Sequence, residues 1–100
     1  MDTLNAIGKV RFNSAKPQRV GLCRADGRKA DLLCFEGGQQ MTMDDGGWMY
    51  YVITGAGTLA CGGQGQDLSP GNLACVEPGQ GHTWTSQTDK RLVVLAIGKD

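Results

Sequence analysis

Residues 71–82 read GNLACVEPGQGH: a glycine, a short apolar run, a Pro-Gly turn and then the only histidine of the chain, His82. Upstream, residues 48–57 read WMYYVITGAG, an aromatic and β-branched run that ends in a Gly-x-Gly turn. Short apolar runs bounded by Gly and Pro are typical of β-strands. These two segments therefore predict strands that are joined by tight turns.

The rest of the chain has the same character. No apolar i, i+3, i+4, i+7 spacing persists over three helical turns, and 16 glycines interrupt the 100 residues. Many short strands separated by Gly-rich turns are typical of an antiparallel sandwich or barrel. We expect residues 62–65, GGQG, to form a hairpin turn, because two strand-like runs flank them and no helix follows. The predicted strands are Arg19–Arg24, Ala30–Glu36, Trp48–Thr54, Thr58–Cys61, Asn72–Glu77, His82–Ser86 and Arg91–Ile97.

The length and the charge of the chain limit the number of domains it can form and the kinds of partner it can bind. One hundred residues make one domain, which we place at residues 18–100, after an N-terminal arm or edge strand at residues 1–17. Ten basic residues balance ten acidic ones, which argues against nucleic acid as a partner. No apolar run approaches the ~20 residues of a membrane-spanning helix, and the first residues lack the pattern of a secretory signal. We therefore expect no membrane partner and a cytoplasmic location.

The segment from Asp31 to Ile97 resembles a small cupin, the double-stranded β-helix or jelly-roll family. Residues 71–82 resemble the second cupin motif, with Glu77 where proline is usual, and residues 48–57 resemble the end of the first. The segment Cys34–Gln39 resembles the sequence that leads into the first motif. The resemblance implies an all-β fold, a cupin-type antiparallel β-sandwich or barrel with an interior cavity. It also implies a homodimer, and pairing would cover exposed strand edges.

The metal-binding motif of the family is degenerate in this chain. A metal-binding cupin carries His-x-His, a later Glu and the histidine of the second motif. Aligned back from Gly55, the first three of these positions fall on Met41, Met43 and Trp48, so that only His82 remains. Thioether and indole groups do not replace the imidazole and carboxylate ligands of Fe, Mn or Zn. We therefore expect no metal cofactor.

Large apolar side chains at these positions predict an interior pocket for a small molecule. The expected function is to bind or sense a small apolar or aromatic ligand in the barrel. No Lys or Arg lies between Lys29 and Lys90, so a neutral or cationic ligand is favoured unless an N-terminal arginine reaches in. Alternatively, the same side chains pack together and plug the barrel, which leaves a structural or interaction module. The predicted lining residues are Met41, Met43, Trp48, Tyr50, His82 and Trp84.

A rebuilt enzyme site is the other alternative. Met41, Met43 and His82, with Cys61 or Cys75, have the soft ligands that Cu(I) accepts. Without a metal, His82 is the only candidate catalytic residue, as a general base in isomerase-type chemistry or as a hydrogen-bonding group.

Two further groups of residues have a simpler interpretation. Asp44 and Asp45 would supply carboxylates to a metal only if their loop folded inward, and two acids before Gly46 and Gly47 are more typical of a turn. The four cysteines form no C-x-x-C pair, so we expect free, buried thiols instead of disulfides or a zinc site. These cysteines are Cys23, Cys34, Cys61 and Cys75.

Overall fold

The computed structural model describes all residues from 1 to 100. Apart from one 3₁₀ turn at Ile7–Lys9, the regular structure consists entirely of strands. The nine strands are β1 (Gln18–Ala25), β2 (Arg28–Phe35), β3 (Gln40–Met43), β4 (Trp48–Thr54), β5 (Gly57–Cys61), β6 (Gln64–Leu68), β7 (Leu73–Val76), β8 (His82–Ser86) and β9 (Leu92–Lys99). No helical segment has the length and apolar character needed to cross a bilayer.

The strands form two antiparallel sheets, which confirms the predicted all-β jelly roll. The five-stranded sheet has the order β1-β2-β9-β4-β7, and the four-stranded sheet has the order β3-β8-β5-β6. The main hydrophobic core draws its residues from strands of both sheets. The strands β6 and β7 lie at the ends of their respective sheets. Residues of these two edge strands line the same open side of the sandwich.

Alternation along β4 shows how the sequence determines which face is buried. Trp48, Tyr50 and Val52 are buried, whereas Met49 and Tyr51 between them are exposed. Side chains two residues apart on a strand point to the same side, so one face of β4 supplies the core. The other face contacts solvent although it carries large apolar groups.

Several turns contain glycine at a position where the backbone conformation would strain any other residue. Gly62 and Gly63, with φ of 61° and 80°, join β5 to β6, so the predicted hairpin is confirmed. Gly55 has φ of 88°, and a Cβ atom there would overlap the carbonyl group of Arg91. The Gly-x-Gly turn therefore needs glycine for its backbone conformation and for its packing.

Two strands were missing from the sequence prediction. The strand β3 pairs only with β8, and β6 pairs only with β5. Both are edge strands of four or five residues, and β6 is exposed except at Leu68. The strand β6 has too few apolar residues to produce an alternation, and β3, with four residues, is too short for its alternation to stand out.

Part of the segment before β1 contacts the outer face of the five-stranded sheet. Val10 and Phe12 pack on a small cluster formed by Leu32, Cys34 and Val93. The guanidinium of Arg91 lies 4.4 Å from the centre of the Phe12 ring, at a distance that allows a cation–π interaction. The division of the chain into an arm and a domain stays a prediction.

Candidate functional site

The cross-strand register places the predicted site residues in two rows on the four-stranded sheet. His82 pairs with Met43 of β3 on one side and with Cys61 of β5 on the other. Two residues further along β8, Trp84 pairs in the same way with Met41 and Leu59. Alternation along each strand directs these side chains towards the interior.

The five-stranded sheet contributes Trp48 and Tyr50 from the other side of the sandwich. Small neighbours make room for these rings: Tyr50 pairs with Ala74 and Ala96, and Gly98 lies beside Trp48. A Cβ atom at Gly98 would come within 2.6 Å of the Trp48 ring. The rings of Trp48 and Tyr50 therefore fill the space that the small residues beside them leave free.

The six predicted pocket residues converge in the interior. The Tyr50 ring lies edge-on to Trp84 at 5.2 Å and to His82 at 5.5 Å, and it stacks with Trp48 at 6.1 Å between centroids. Met43 is also buried, and half-buried Met41 packs against the same core. Geometries of this kind are the favourable ones for aromatic pairs. The centre of the sandwich is therefore filled by these side chains.

Hydrogen bonds determine the tautomer of His82. Its Nδ1 lies 3.0 Å from the carbonyl oxygen of Gln80, and its Nε2 lies 2.5 Å from the hydroxyl of Tyr50. A carbonyl only accepts, so Nδ1–H donates to Gln80, and in the tautomer that carries this one proton Nε2 accepts from the Tyr50 hydroxyl. Both nitrogens of the buried imidazole thus have a partner.

Burial also governs the ionisation of Tyr50. Removal from water raises the pKa of Tyr50 well above its ordinary value, and the Trp84 indole and the charge of Arg19 offset part of that rise. Tyr50 is therefore a neutral hydrogen-bond donor throughout the physiological pH range. The fully buried indole N–H of Trp84 is directed at the Tyr50 hydroxyl and has no other hydrogen-bond partner.

A charged cluster that sequence reasoning missed covers the exposed side of Trp48. Arg19 of β1 forms an ion pair with buried Asp31 of β2 at 2.9 Å, and its guanidinium lies 4.9 Å from the centre of the Trp48 ring. The ammonium of Lys29 lies 5.6 Å from the same ring. An N-terminal arginine thus reaches the interior residues, where its charge is balanced by Asp31. The one sequence signal was an acid, Asp31, in an otherwise apolar run.

Nothing in the sequence indicated an open groove on the side formed by β5, β6 and β7. Its volume is about 560 Å³ and its lining contains no charged residue. Leu59, Leu68 and Val76 of the lining belong to the main core, so core side chains form part of the groove wall. The other lining residues are Cys61, Gln64, Gly65, Gln66, Leu73, Ala74 and Cys75.

Comparison with known proteins agrees with this architecture. The family described as "Cupin domain" matches residues 33–98. The chain belongs to the cupin family. No curated protein matches the sequence of this cupin.

Solved structures of other proteins superpose on nearly the whole chain. A protein from Thermus thermophilus gives a TM-score of 0.90 at 20% identity and covers 99% of this chain and 97% of its own. A protein with a double-stranded β-helix domain from Klebsiella pneumoniae gives 0.84 at 18% identity, covering 99% and 90%. An RmlC-like cupin from Desulfovibrio desulfuricans gives 0.77 at 20% identity, covering 96% and 95%. At these identities the similarity is one of fold.

The residues at the usual cupin metal position do not fit a metal ion. Met41, Met43 and Trp48 occupy the three positions of the first motif, and both nitrogens of His82 are engaged. No three residues of the His, Cys, Asp and Glu types converge in a way that would hold an ion. This cupin therefore has no metal site of the usual composition.

The carboxylates considered as substitutes lie outside the interior. Asp44 and Asp45 are exposed, and Asp45 accepts a long hydrogen bond, 3.5 Å, from the Trp48 indole. Ser86, also on β8, donates to the carbonyl of Lys90 at 2.8 Å, so its hydroxyl is engaged away from His82. Neither group contributes a reactive partner to the imidazole.

All four cysteines are free, as expected, but their predicted burial is wrong for two of them. Cys34 is fully buried, where desolvation raises the pKa of its thiol. Cys61 is half-buried and lines the groove. Cys23 and Cys75 are exposed: Cys75 pairs with Met49 on the outer face of β4, whereas Val76 next to it is buried. An apolar neighbour in the sequence did not indicate which side of the strand faced the core.

Proposed function

We propose that this cupin binds a small, neutral, apolar or aromatic molecule in the groove beside β6 and β7, without a metal ion. The observation that carries the proposal is the continuity of this groove with the core. Three residues belong both to the groove lining and to the core, and each is less than one-tenth exposed: Leu59, Leu68 and Val76. Ligand sites are mostly apolar concavities with a few polar groups, and this groove has that composition.

The polar groups of the groove suit a neutral ligand. Gln64 and Gln66, which pair with Cys61 and Leu59 of β5, are exposed and lie at the groove. A carboxamide both donates and accepts hydrogen bonds, so these side chains can orient a polar substituent without a charge. The ion pair of Arg19 with Asp31 lies on the other side of the molecule, at β1 and β2, and takes no part in this lining.

The groove also lies next to the aromatic centre. Leu59 and Cys61 line the groove, and they are the cross-strand neighbours of Trp84 and His82. A ligand in the groove would therefore contact the residues that surround the predicted pocket. None of the six predicted lining residues lines the groove, and their role in ligand binding stays a prediction.

A blocking variant tests this proposal. Toluene is titrated into ¹⁵N-labelled protein, and we expect saturable amide shifts on β5, β6 and β7. Gln66→Trp places an indole at the groove and should weaken binding at least tenfold while the melting temperature stays within about 2 °C. Gln40→Trp makes the same change at an exposed position of β3 and should leave binding unchanged. No saturable shifts, or equal binding by both variants, would contradict the proposal.

The packed centre supports one rival, the plugged barrel that acts as an interaction module. The same titration separates the two, because a plugged barrel without a ligand site gives no saturable shift with toluene. Cys23 and Cys75, both exposed and free, suit a reducing compartment, and we propose the cytosol.

We also propose that two copies pair through the outer face of β4 and β7. Met49, Tyr51 and Leu73 expose 50%, 44% and 65% of their surface there, although all three are large and apolar. Exposed apolar patches of this kind mark interaction sites. In sedimentation experiments, Leu73→Lys should shift a dimer to monomer, whereas Ile7→Lys, on the exposed 3₁₀ turn, should not. A monomeric wild-type protein at 100 μM would overturn this assignment.

A further inference from the structure

The strand β7 belongs both to the groove and to the outer face of the five-stranded sheet. Leu73 and Cys75 of β7 line the groove. The same two residues pair with Tyr51 and Met49 of β4, which are exposed on the outer face. Because β7 is an edge strand with β4 as its only neighbour, its outward side chains also stand at the rim of the groove. One wall of the groove therefore ends where the outer face begins.

The groove of a single chain is open to solvent along β7. Leu73 exposes 65% of its surface and Cys75 is also exposed, whereas Val76 of the same strand is buried in the core. Sites for small molecules usually bury most of the surface of their ligand. A ligand in the groove of one copy would therefore stay in contact with water at this rim.

A second copy of this chain is the partner that suits the outer face beside this rim. Across β7, β4 and β9 the outward residues form two rows, and none of them carries a charge. One row contains Leu73, Tyr51 and Leu95, and the other contains Cys75, Met49 and Ile97. A charged partner would find no opposite charge here, whereas a two-fold dimer brings an uncharged face against an identical one.

We propose that the partner copy completes the ligand site, so that ligand binding and pairing strengthen each other. Side chains of the partner that cover Leu73 and Cys75 also close the open side of the groove. The dimer therefore removes more apolar surface of the ligand from water than one copy does. Coupling between two binding events is reciprocal, so the ligand favours the dimer by the same factor per site. This inference rests on the proposed function, since it concerns the same groove.

Met49→Lys separates the two events, because Met49 lies on the outer face and takes no part in the groove lining. The introduced ammonium group places a charge in the apolar interface and should make the protein monomeric in sedimentation experiments. We expect toluene to bind this variant about tenfold more weakly than the wild type, as measured by the amide shifts of β5 and β6. Ile7→Lys makes a similar change on the exposed 3₁₀ turn and should leave pairing and toluene binding unchanged.

The reciprocal effect is measured on the wild type, without a substitution. Because a dimer has two grooves, a tenfold coupling at each predicts that saturating toluene lowers the dimer dissociation constant about 100-fold. Gln66→Trp, which obstructs the groove, should remove this effect of toluene. If Met49→Lys fails to fold, the wild-type measurement decides the question alone.

The possible failures are distinguishable. A monomeric Met49→Lys variant that binds toluene as tightly as the wild type overturns the coupling and leaves the groove as the ligand site. A wild-type dimer dissociation constant that saturating toluene does not change has the same meaning. A Met49→Lys variant that remains dimeric, or a wild type that stays monomeric at 100 μM with and without toluene, overturns the coupling together with the proposed pairing face. A wild type that binds no toluene overturns the proposed function as well.

Discussion

The centre of the sandwich and the groove beside β6 and β7 both contain apolar side chains, but those in the centre are tightly packed and those in the groove border open space. In the centre, Tyr50 contacts Trp48, His82 and Trp84, and almost every polar atom has a partner. In the groove, apolar side chains of the core border open space. The comparison indicates that packed side chains fill the position of the usual cupin metal site, whereas the groove that we propose as the ligand site lies one strand away.

The largest expected effect concerns the packed centre. Trp84→Ala removes a fully buried indole that contacts Tyr50, and truncation of a buried Trp costs about 3–5 kcal/mol of unfolding free energy. Urea denaturation measures the loss. Ile7→Ala, which truncates a side chain with 57% exposure on the 3₁₀ turn, should change the same quantity by less than about 0.5 kcal/mol. A loss below about 1 kcal/mol for Trp84→Ala would mean that the centre is loosely packed and available to a ligand.

The second effect tests the hydrogen bonding within the centre. Tyr50→Phe keeps the ring but removes the donor to His82, and it leaves Nε2 buried without a partner. The expected cost is about 1–3 kcal/mol, the usual penalty for an unsatisfied buried polar atom. Tyr51→Phe makes the same change on the exposed face of β4 and should cost less than about 0.5 kcal/mol. Equal costs for the two variants would show that the Tyr50–His82 bond contributes nothing.

A smaller effect appears at alkaline pH. Burial raises the pKa of Tyr50, so the folded state keeps its proton above pH 10, where an unfolded tyrosine releases its own. The stabilisation is fully present below pH 10 and declines as pH rises, by about 0.8 kcal/mol at pH 10.5. Urea denaturation at pH 8.0 and 10.5 should show a smaller decline for Tyr50→Phe than for the wild type. An identical decline would contradict the assignment of this pH dependence to Tyr50.

Sequence reasoning reached the fold and the convergence of the site residues because both follow from local patterns. The turn glycines, the alternation along β4 and the two-residue spacing of Met41 and Met43 are properties of single segments. They sufficed to predict an antiparallel sandwich or barrel, whereas the cupin fold and the positions of the site residues were implied by the resemblance of residues 48–57 and 71–82 to the two cupin motifs. The motif at residues 71–82 contributed most, since it fixed the position of His82 relative to the turn before it.

The groove and the ion pair of Arg19 with Asp31 were not predictable in the same way. Each depends on residues from different strands: the groove on β5, β6 and β7, and the ion pair on β1 and β2. Sequence spacing determines which side of a strand a residue occupies, but not which atoms of another strand it meets. The same limit explains why Cys75 was expected to be buried and is exposed.

The smallest expected effect is that of added metal, and it tests whether the centre is structural. An ion that bound at His82 would have to break the hydrogen bond of His82 to Tyr50 or to Gln80. A hard ion would also lose bound water, and the thioethers of Met41 and Met43 are poor replacement ligands for it. Fe²⁺, Mn²⁺ or Zn²⁺ in twofold excess should therefore shift the melting temperature by less than about 1 °C. Cu(I) is the sharper case, because it accepts thioether and imidazole ligands. A stoichiometric Cu(I) complex that Met43→Leu abolishes would show that the Tyr50–His82 bond yields to a metal, and the centre would then be a site in its own right.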